Sequence, residues 1–230
     1  AVTGDNDFFW DNTNKRLGIG TTTPAAALDV IGRIGLTDSN NNVSVGYQAG
    51  DAITTALNNT IIGYNAGTNI QTGNNNTLIG YSAGANMSPS GSPCERNTVV
   101  GSGITFALSP QGDDNTLVGY NAGKNISSGF RNILIGSLAG DNINLGADNV
   151  AIGYSALSAA TGSARNIAIG SHALEVATPS VGYNIAIGFE AGKAVTTGTG
   201  NTLLGAFAGD AAMTGVDNKF VGLSVGSGNT

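Results

Sequence analysis

The stretch Asn149-Val150-Ala151-Ile152-Gly153-Tyr154-Ser155-Ala156 decides the fold, because the chain repeats its plan ten more times. An asparagine, an aliphatic residue three positions later and a glycine four positions later recur from Asn42, Asn59, Asn76, Asn97, Asn115, Asn132, Asn149, Asn166, Asn184, Asn201 and Asn218. The spacings are 17, 17, 21, 18, 17, 17, 17, 18, 17 and 17 residues. Seven positions after the asparagine stands alanine in nine copies, with Ile104 and Val225 as the exceptions. Self-similarity at a fixed short period marks a repeat architecture.

A unit this short cannot hold a helix pair, and its glycines oppose helix in any case. Short aliphatic runs between glycine and asparagine punctuation read as strands. The expected fold is therefore all-β: a parallel β-solenoid (β-roll) of about eleven 17-residue coils. Coils stacked at the strand spacing give a rod of roughly 50 Å. The asparagine column is expected to stack its amides into a ladder along the rod. The glycine column marks a backbone conformation or a close approach that no side chain permits. Both columns read as architecture and not as ligand sites.

The strand residues carry a second message. Where the first residue after the asparagine is large, the second is usually small, as in Ile167-Ala168 and Ile185-Ala186. Where the first is threonine the second is large, as in Thr60-Ile61 and Thr116-Leu117. With the constant aliphatic third position, many strands are apolar on both faces, the pattern of a strand covered on both sides. A thin coil has one interior of its own, so the second face predicts contact with another copy of the chain, a homo-oligomer. The near-regular column Tyr47, Tyr64, Tyr81, Tyr120 and Tyr154 is expected to be buried in that contact, because an exposed aromatic stripe invites association.

Working outward, residues 1–38 fall outside the repeat and 39–230 form it. Phe8, Phe9 and Trp10, a turn cluster Asp11-Asn12-Thr13-Asn14, and Leu17-Gly18-Ile19-Gly20 predict a hairpin, a small cap or connector for the solenoid. Thr23-Pro24 before three alanines predicts a helix of a turn or two, and Val30-Ile31-Gly32 a return to strand. The repeat is interrupted between Gly84 and Asn97 by a segment with two prolines and the sole cysteine, Cys94. Insertions in solenoids project from one face, often the binding face, so Ser88, Ser90, Ser92, Glu95 and Arg96 are the candidate binding residues. No cap is legible at Gly226-Ser227-Gly228-Asn229-Thr230, which suggests a segment of a longer fibre.

Composition narrows the function. Charged residues make up 10% of the 230, too few for solvated helices, while 40% hydrophobic content supports a sizeable core. A net charge of −6 with no basic cluster opposes nucleic-acid binding. No apolar run reaches the roughly 20 residues that span a bilayer, so no membrane insertion is expected of this segment, and no signal peptide is legible at the N-terminus. With one cysteine there is no intrachain disulfide. Chemistry-bearing residues are sparse. His172 occupies a variable slot of the repeat and reads as a surface residue. Gly112-Asp113-Asp114-Asn115 offers hard oxygens for Ca²⁺ but reads first as a solvated turn. No catalytic residue, cofactor or metal site is assigned, and the chain is not expected to be an enzyme.

Two stretches resemble known families. Leu17-Gly18-Ile19-Gly20-Thr21-Thr22-Thr23-Pro24 through Leu28-Asp29-Val30-Ile31-Gly32 closely resembles an element of tailed-phage tail fibres and related surface fibres. The repeats at Asn149–Gly153 and Asn184–Gly188 resemble the heads of trimeric autotransporter adhesins. The resemblance implies a left-handed parallel β-roll, an intertwined homotrimer, an extracellular place on a virion tail fibre or bacterial surface, and a host-surface glycan or protein as partner. It carries over no receptor-contacting residue. The leading functional expectation is a structural or adhesive fibre segment that spaces or presents a receptor-binding surface. Two alternatives stand beside it. Ile62-Gly63-Tyr64-Asn65-Ala66-Gly67 fits one hexapeptide of left-handed β-helix acyltransferases. The column Thr60, Thr77, Thr98, Thr116 and Thr202 hints at an ice-binding solenoid.

Overall fold

The structure is a computed structural model, and it describes residues 9–19, 21–30, 39–87, 93–105, 112–176, 182–211 and 214–227. The chain divides into two compact units, Ala1–Leu36 and Thr37–Thr230. No helix occurs among the described residues.

The first unit is a three-stranded sheet of β1 (Phe9–Asp11), β2 (Arg16–Ile19) and β3 (Leu28–Val30). β1 and β2 form the expected antiparallel hairpin, Trp10 opposite Leu17. Its turn is held by Asp11, whose Oδ1 accepts the backbone amides of Thr13 and Asn14 at 2.9 and 3.1 Å. The expected helix after Pro24 is absent. Three alanines cannot meet the nucleation cost of a helix, and Leu28 is instead drawn into a strand parallel to β2, paired with Leu17. The Arg16 guanidinium donates to the Pro24 carbonyl at 3.0 Å, and the Leu17 amide to the Ala27 carbonyl at 2.8 Å. These bonds tie the connection to β2 as an extended arch.

The second unit is the solenoid. One strand falls in each repeat: β4 (Val43–Val45), β5 (Thr60–Ile62), β6 (Thr77–Ile79), β7 (Thr98–Ser102), β8 (Thr116–Tyr120), β9 (Ile133–Ile135), β10 (Val150–Ile152), β11 (Ile167–Ile169), β12 (Ile185–Ile187), β13 (Thr202–Leu204) and β14 (Lys219–Val221). They form one parallel sheet in sequence order. Each copy lies in register on the next, so that Val150, Ala151 and Ile152 pair with Ile167, Ala168 and Ile169.

Three columns fill most of the interior, joined by Leu157 and Leu174 eight positions after their ladder asparagines. The middle strand residue is fully buried from Ile61 through Leu203, and so is the alanine five residues later, from Ala66 to Ala208. A third column, Ile70, Met87, Ile126, Ile143, Ala160 and Val195, closes the core from the far side of the coil. Burying a large aliphatic side chain contributes roughly 1.5–3 kcal/mol, and the sheet repeats that gain in each coil.

The asparagine ladder forms as expected. Asn115 Oδ1 accepts both the backbone amide and the Nδ2 of Asn132, at 3.0 and 3.1 Å, and Asn132 Nδ2 also donates to the Gly146 carbonyl at 2.8 Å. The same three bonds recur at Asn149, 3.1, 3.0 and 2.9 Å. A buried polar side chain is tolerated when its donors and acceptors are met, and each amide here meets them by bonding the coil before it and its own coil's far turn. The glycine column has both causes anticipated for it. At Gly136 φ is +133°, and a Cβ would stand 2.5 Å from the Gly153 carbonyl oxygen of the next coil.

Candidate functional site

In a strand, alternate side chains face opposite sides. With the middle residue buried, the first and third point out of the coil, and the third forms an aliphatic column: Val45, Ile62, Ile79, Ile135 and Ile187 are 41, 38, 36, 36 and 40% exposed. Ile133, in the first-position column beside Ile135, is equally open. Beyond the glycine column the tyrosines follow, and these are 49–65% exposed on the chain, so the burial expected of them is not supplied by the coil itself. Tyr47, Tyr64 and Tyr81 stack on one another, whereas Tyr120 and Tyr154 are separated in their column by Ser137. The result is one outward face of the sheet that carries an aliphatic column along its length, flanked by threonine on five strands, and is free of ionic groups until Lys219.

Of the candidate binding residues, Ser88, Ser90 and Ser92 lie outside the described residues. Glu95 and Arg96 are described, and they are brought together with groups of the next coil. Arg96 Nε lies 2.6 Å from Asp114 Oδ1, its Nη2 3.7 Å from Asp113, and its Nη1 2.7 Å from Glu95. The Glu95 amide donates to Asp113 Oδ1 at 2.8 Å, and Asn74 Nδ2 donates to the Glu95 carboxylate at 2.8 Å. The two carboxylates considered for Ca²⁺ thus face a guanidinium, which holds Asp114 below its ordinary pKa by hydrogen bonding. Cys94 is buried and its thiol donates to the Met87 carbonyl at 2.7 Å.

Arg96 belongs to a column that the sequence reading missed, the residue just before each ladder asparagine. Every such residue from Asn41 to Asp217 has positive φ, near 60°. The run Arg96, Asp114, Arg131, Asp148, Arg165, Tyr183 alternates donor and acceptor up the side of the solenoid. Arg131 Nε lies 2.6 Å from Asp148 Oδ1, Arg165 Nε lies 3.9 Å from Asp148 Oδ2, and Arg165 Nη1 donates to the Tyr183 hydroxyl at 2.7 Å. The alternation at the repeat spacing was present in the sequence and would have revealed the column.

His172 is more enclosed than a surface slot predicts. Its ring meets Tyr154 and Phe189 edge-on at 5.2 and 6.4 Å. Its Nδ1 lies 3.0 Å from Glu175 Oε1, an ion-pair distance without hydrogen-bond angles, and so keeps no hydrogen-bond partner. Lys193 lies 3.6 Å from Glu175 and 3.0 Å from Glu190. Two coils earlier, burial raises the pKa of the Asp141 carboxyl. Among the described residues, no group of three or more His, Cys, Asp or Glu side chains is placed to hold a metal ion, and no helix is long and apolar enough to cross a membrane. Compared with known proteins, the chain matches none of the family models, curated proteins or solved structures it was set against.

Proposed function

We propose that this chain is a structural and adhesive fibre segment, working outside the cell as a homotrimer that spaces or presents a receptor-binding surface. The observation that carries this reading is the outward aliphatic column from Val45 to Ile187, uninterrupted by charge. Extended apolar patches mark contact surfaces. The patch repeats with the coil spacing, so the surface best matched to it along its length is a second copy of the same chain. The likeness of Leu17–Gly32 to tail-fibre elements supports the same reading. Light scattering across a concentration series tests it: a stable mass of three times the 22.9 kDa chain is expected, and a concentration-independent monomer overturns it.

One observation favours a second reading. Thr60, Thr77, Thr98 and Thr116 stand in register on four consecutive strands, each with an aliphatic residue two positions on. A rigid sheet bearing a regular hydroxyl and methyl array is the chemistry of ice adsorption. A monomer showing thermal hysteresis would replace the fibre reading with this one.

A further inference from the structure

We propose that Tyr47, Tyr64 and Tyr81 form an oxidative cross-linking site, at which a one-electron oxidant joins neighbouring coils of the same chain through a dityrosine bond. The inference goes beyond the fibre reading and requires that these rings stay uncovered where copies meet along the aliphatic column. The Tyr47 and Tyr64 rings stack with centroids 5.3 Å apart and planes 20° from parallel, and Tyr64 and Tyr81 with centroids 5.6 Å apart and planes 4° from parallel. The stack is held from below. The Asn65 amide donates to the Tyr47 carbonyl and the Ser82 amide to the Tyr64 carbonyl, both at 2.9 Å, so successive tyrosines are fixed one strand spacing apart, about 4.8 Å. The rings are nevertheless open to a dissolved oxidant, at 65, 50 and 61% exposure.

Elsewhere this column does not present phenol against phenol. Tyr120 stands between Ser102 and Ser137, and Tyr154 between Ser137 and Ser171. The ring that meets Tyr154 is His172, edge-on at 76°. Tyr183, in a different column, has its hydroxyl bonded to Arg165. The three stacked residues are therefore set apart by geometry and not by exposure, since Tyr120 at 58% and Tyr183 at 62% are just as open.

The co-reactant is a peroxide activated by a haem peroxidase. Each of two neighbouring phenols loses one hydrogen atom, as a proton and an electron. The two phenoxyl radicals join through ring carbons ortho to oxygen. The hydrogens on those carbons then shift to the oxygens, restoring two phenols linked by a new carbon–carbon bond. The peroxide takes up the two protons and two electrons, its oxygen–oxygen bond breaks, and two waters form. The product staples one coil to the next once the two rings turn out of their stack to bring ortho carbons together.

Sequence places the test conveniently. Trypsin cuts after lysine and arginine, and between Arg33 and Arg96 there is neither, so all three residues lie in one peptide, 34–96, that holds no other tyrosine. The full chain is treated with hydrogen peroxide and a haem peroxidase, then followed by dityrosine fluorescence and by mass spectrometry of the digest. Peptide 34–96 is expected to lose one pair of hydrogen atoms while remaining a single peptide. Tyr64→Phe keeps the ring stack but removes the shared partner, so fluorescence should fall to background. Tyr154→Phe should leave it unchanged. Circular dichroism confirms that each variant is folded. A link mapped to other tyrosines, a link between two copies, coupling that survives Tyr64→Phe, or no dityrosine at all overturns the proposal.

Discussion

The coils that start at Asn115 and Asn132 and those that start at Asn149 and Asn166 have the same backbone and fill it from opposite sides. In the first pair the middle strand residue is large, Leu117 and Leu134, and the position eight after the asparagine is glycine, Gly123 and Gly140. In the second pair the strand residue shrinks to Ala151 and Ala168, and that later position becomes Leu157 and Leu174. All four leucines are fully buried. The geometry explains the exchange. A Cβ on Gly140 would lie 2.8 Å from both Leu134 methyl carbons, space that Ala151 leaves open in the next coil. Leu157 and Leu174 take it although their φ values of 54° and 50° are costly for a residue with a side chain. Near Ala186 the position is glycine again, because its Cβ would meet the side chains of Leu174 and Leu203. What each coil conserves is the volume of its interior, not the residue that supplies it.

The sharpest way to break this comparison is Gly140→Leu, which puts two leucines into space for one. Overpacking and left-handed strain together should cost roughly 3 kcal/mol, read as a lower denaturant midpoint. Adding Leu134→Ala restores the strand residue of the Asn149 coil and should recover part of that loss, with Ile143 remaining where that coil has Ala160. A double mutant no better than the single one would mean that volume exchange is not what pairs these positions.

Leu157→Gly probes the same exchange from the other side and should cost less. A cavity beside Ala151 is worth a few kcal/mol, but the backbone is relieved of a strained leucine, leaving a net loss of roughly 2 kcal/mol. Urea midpoints measured beside Gly140→Leu rank the two, and a loss equal to or above that of Gly140→Leu would assign Leu157 more than a filling role.

Much of this architecture was legible in the sequence, and the reasons are specific. Asn149, Gly153 and Ala156 recur because each meets its own copy in the next coil, and a constraint imposed by self-contact must repeat at the coil period. The hairpin was legible from Asp11-Asn12-Thr13-Asn14, since turn chemistry is local. The helix expected after Pro24 failed because its fate was set by Arg16 and Leu17 on a neighbouring strand. The third core column, Ile126 and Ile143 among it, and the leucine exchange were missed because both are relations between different columns. Of the candidate loop, Glu95 and Arg96 looked like an exposed pair of charges; their partners Asp113 and Asp114 lie 18 residues away. Arg96 heads a column whose alternation crosses the boundary between the two kinds of coil.

Asp148 is the residue at that boundary, reaching Arg131 on the leucine side and Arg165 on the alanine side. Hydrogen bonding from Arg131 holds its carboxyl below the ordinary pKa, as Arg96 holds that of Asp114. A carboxylate with a lowered folded pKa adds stability that is complete above the unfolded value, about 4, and that fades as pH falls through the folded one. Asp141 acts with the opposite sign: burial raises its pKa, so its protonation on acidification removes a cost. Thermal melts taken from neutral to acid pH should therefore hold level or rise slightly before they fall. Asp148→Asn should leave the early part intact and flatten the fall, with a small loss at neutral pH that salt suppresses, because these charges are exposed to solvent. If the loss at neutral pH survives high salt, Asp148 acts through its shape in the left-handed turn and the charge alternation is incidental to how the two kinds of coil are joined.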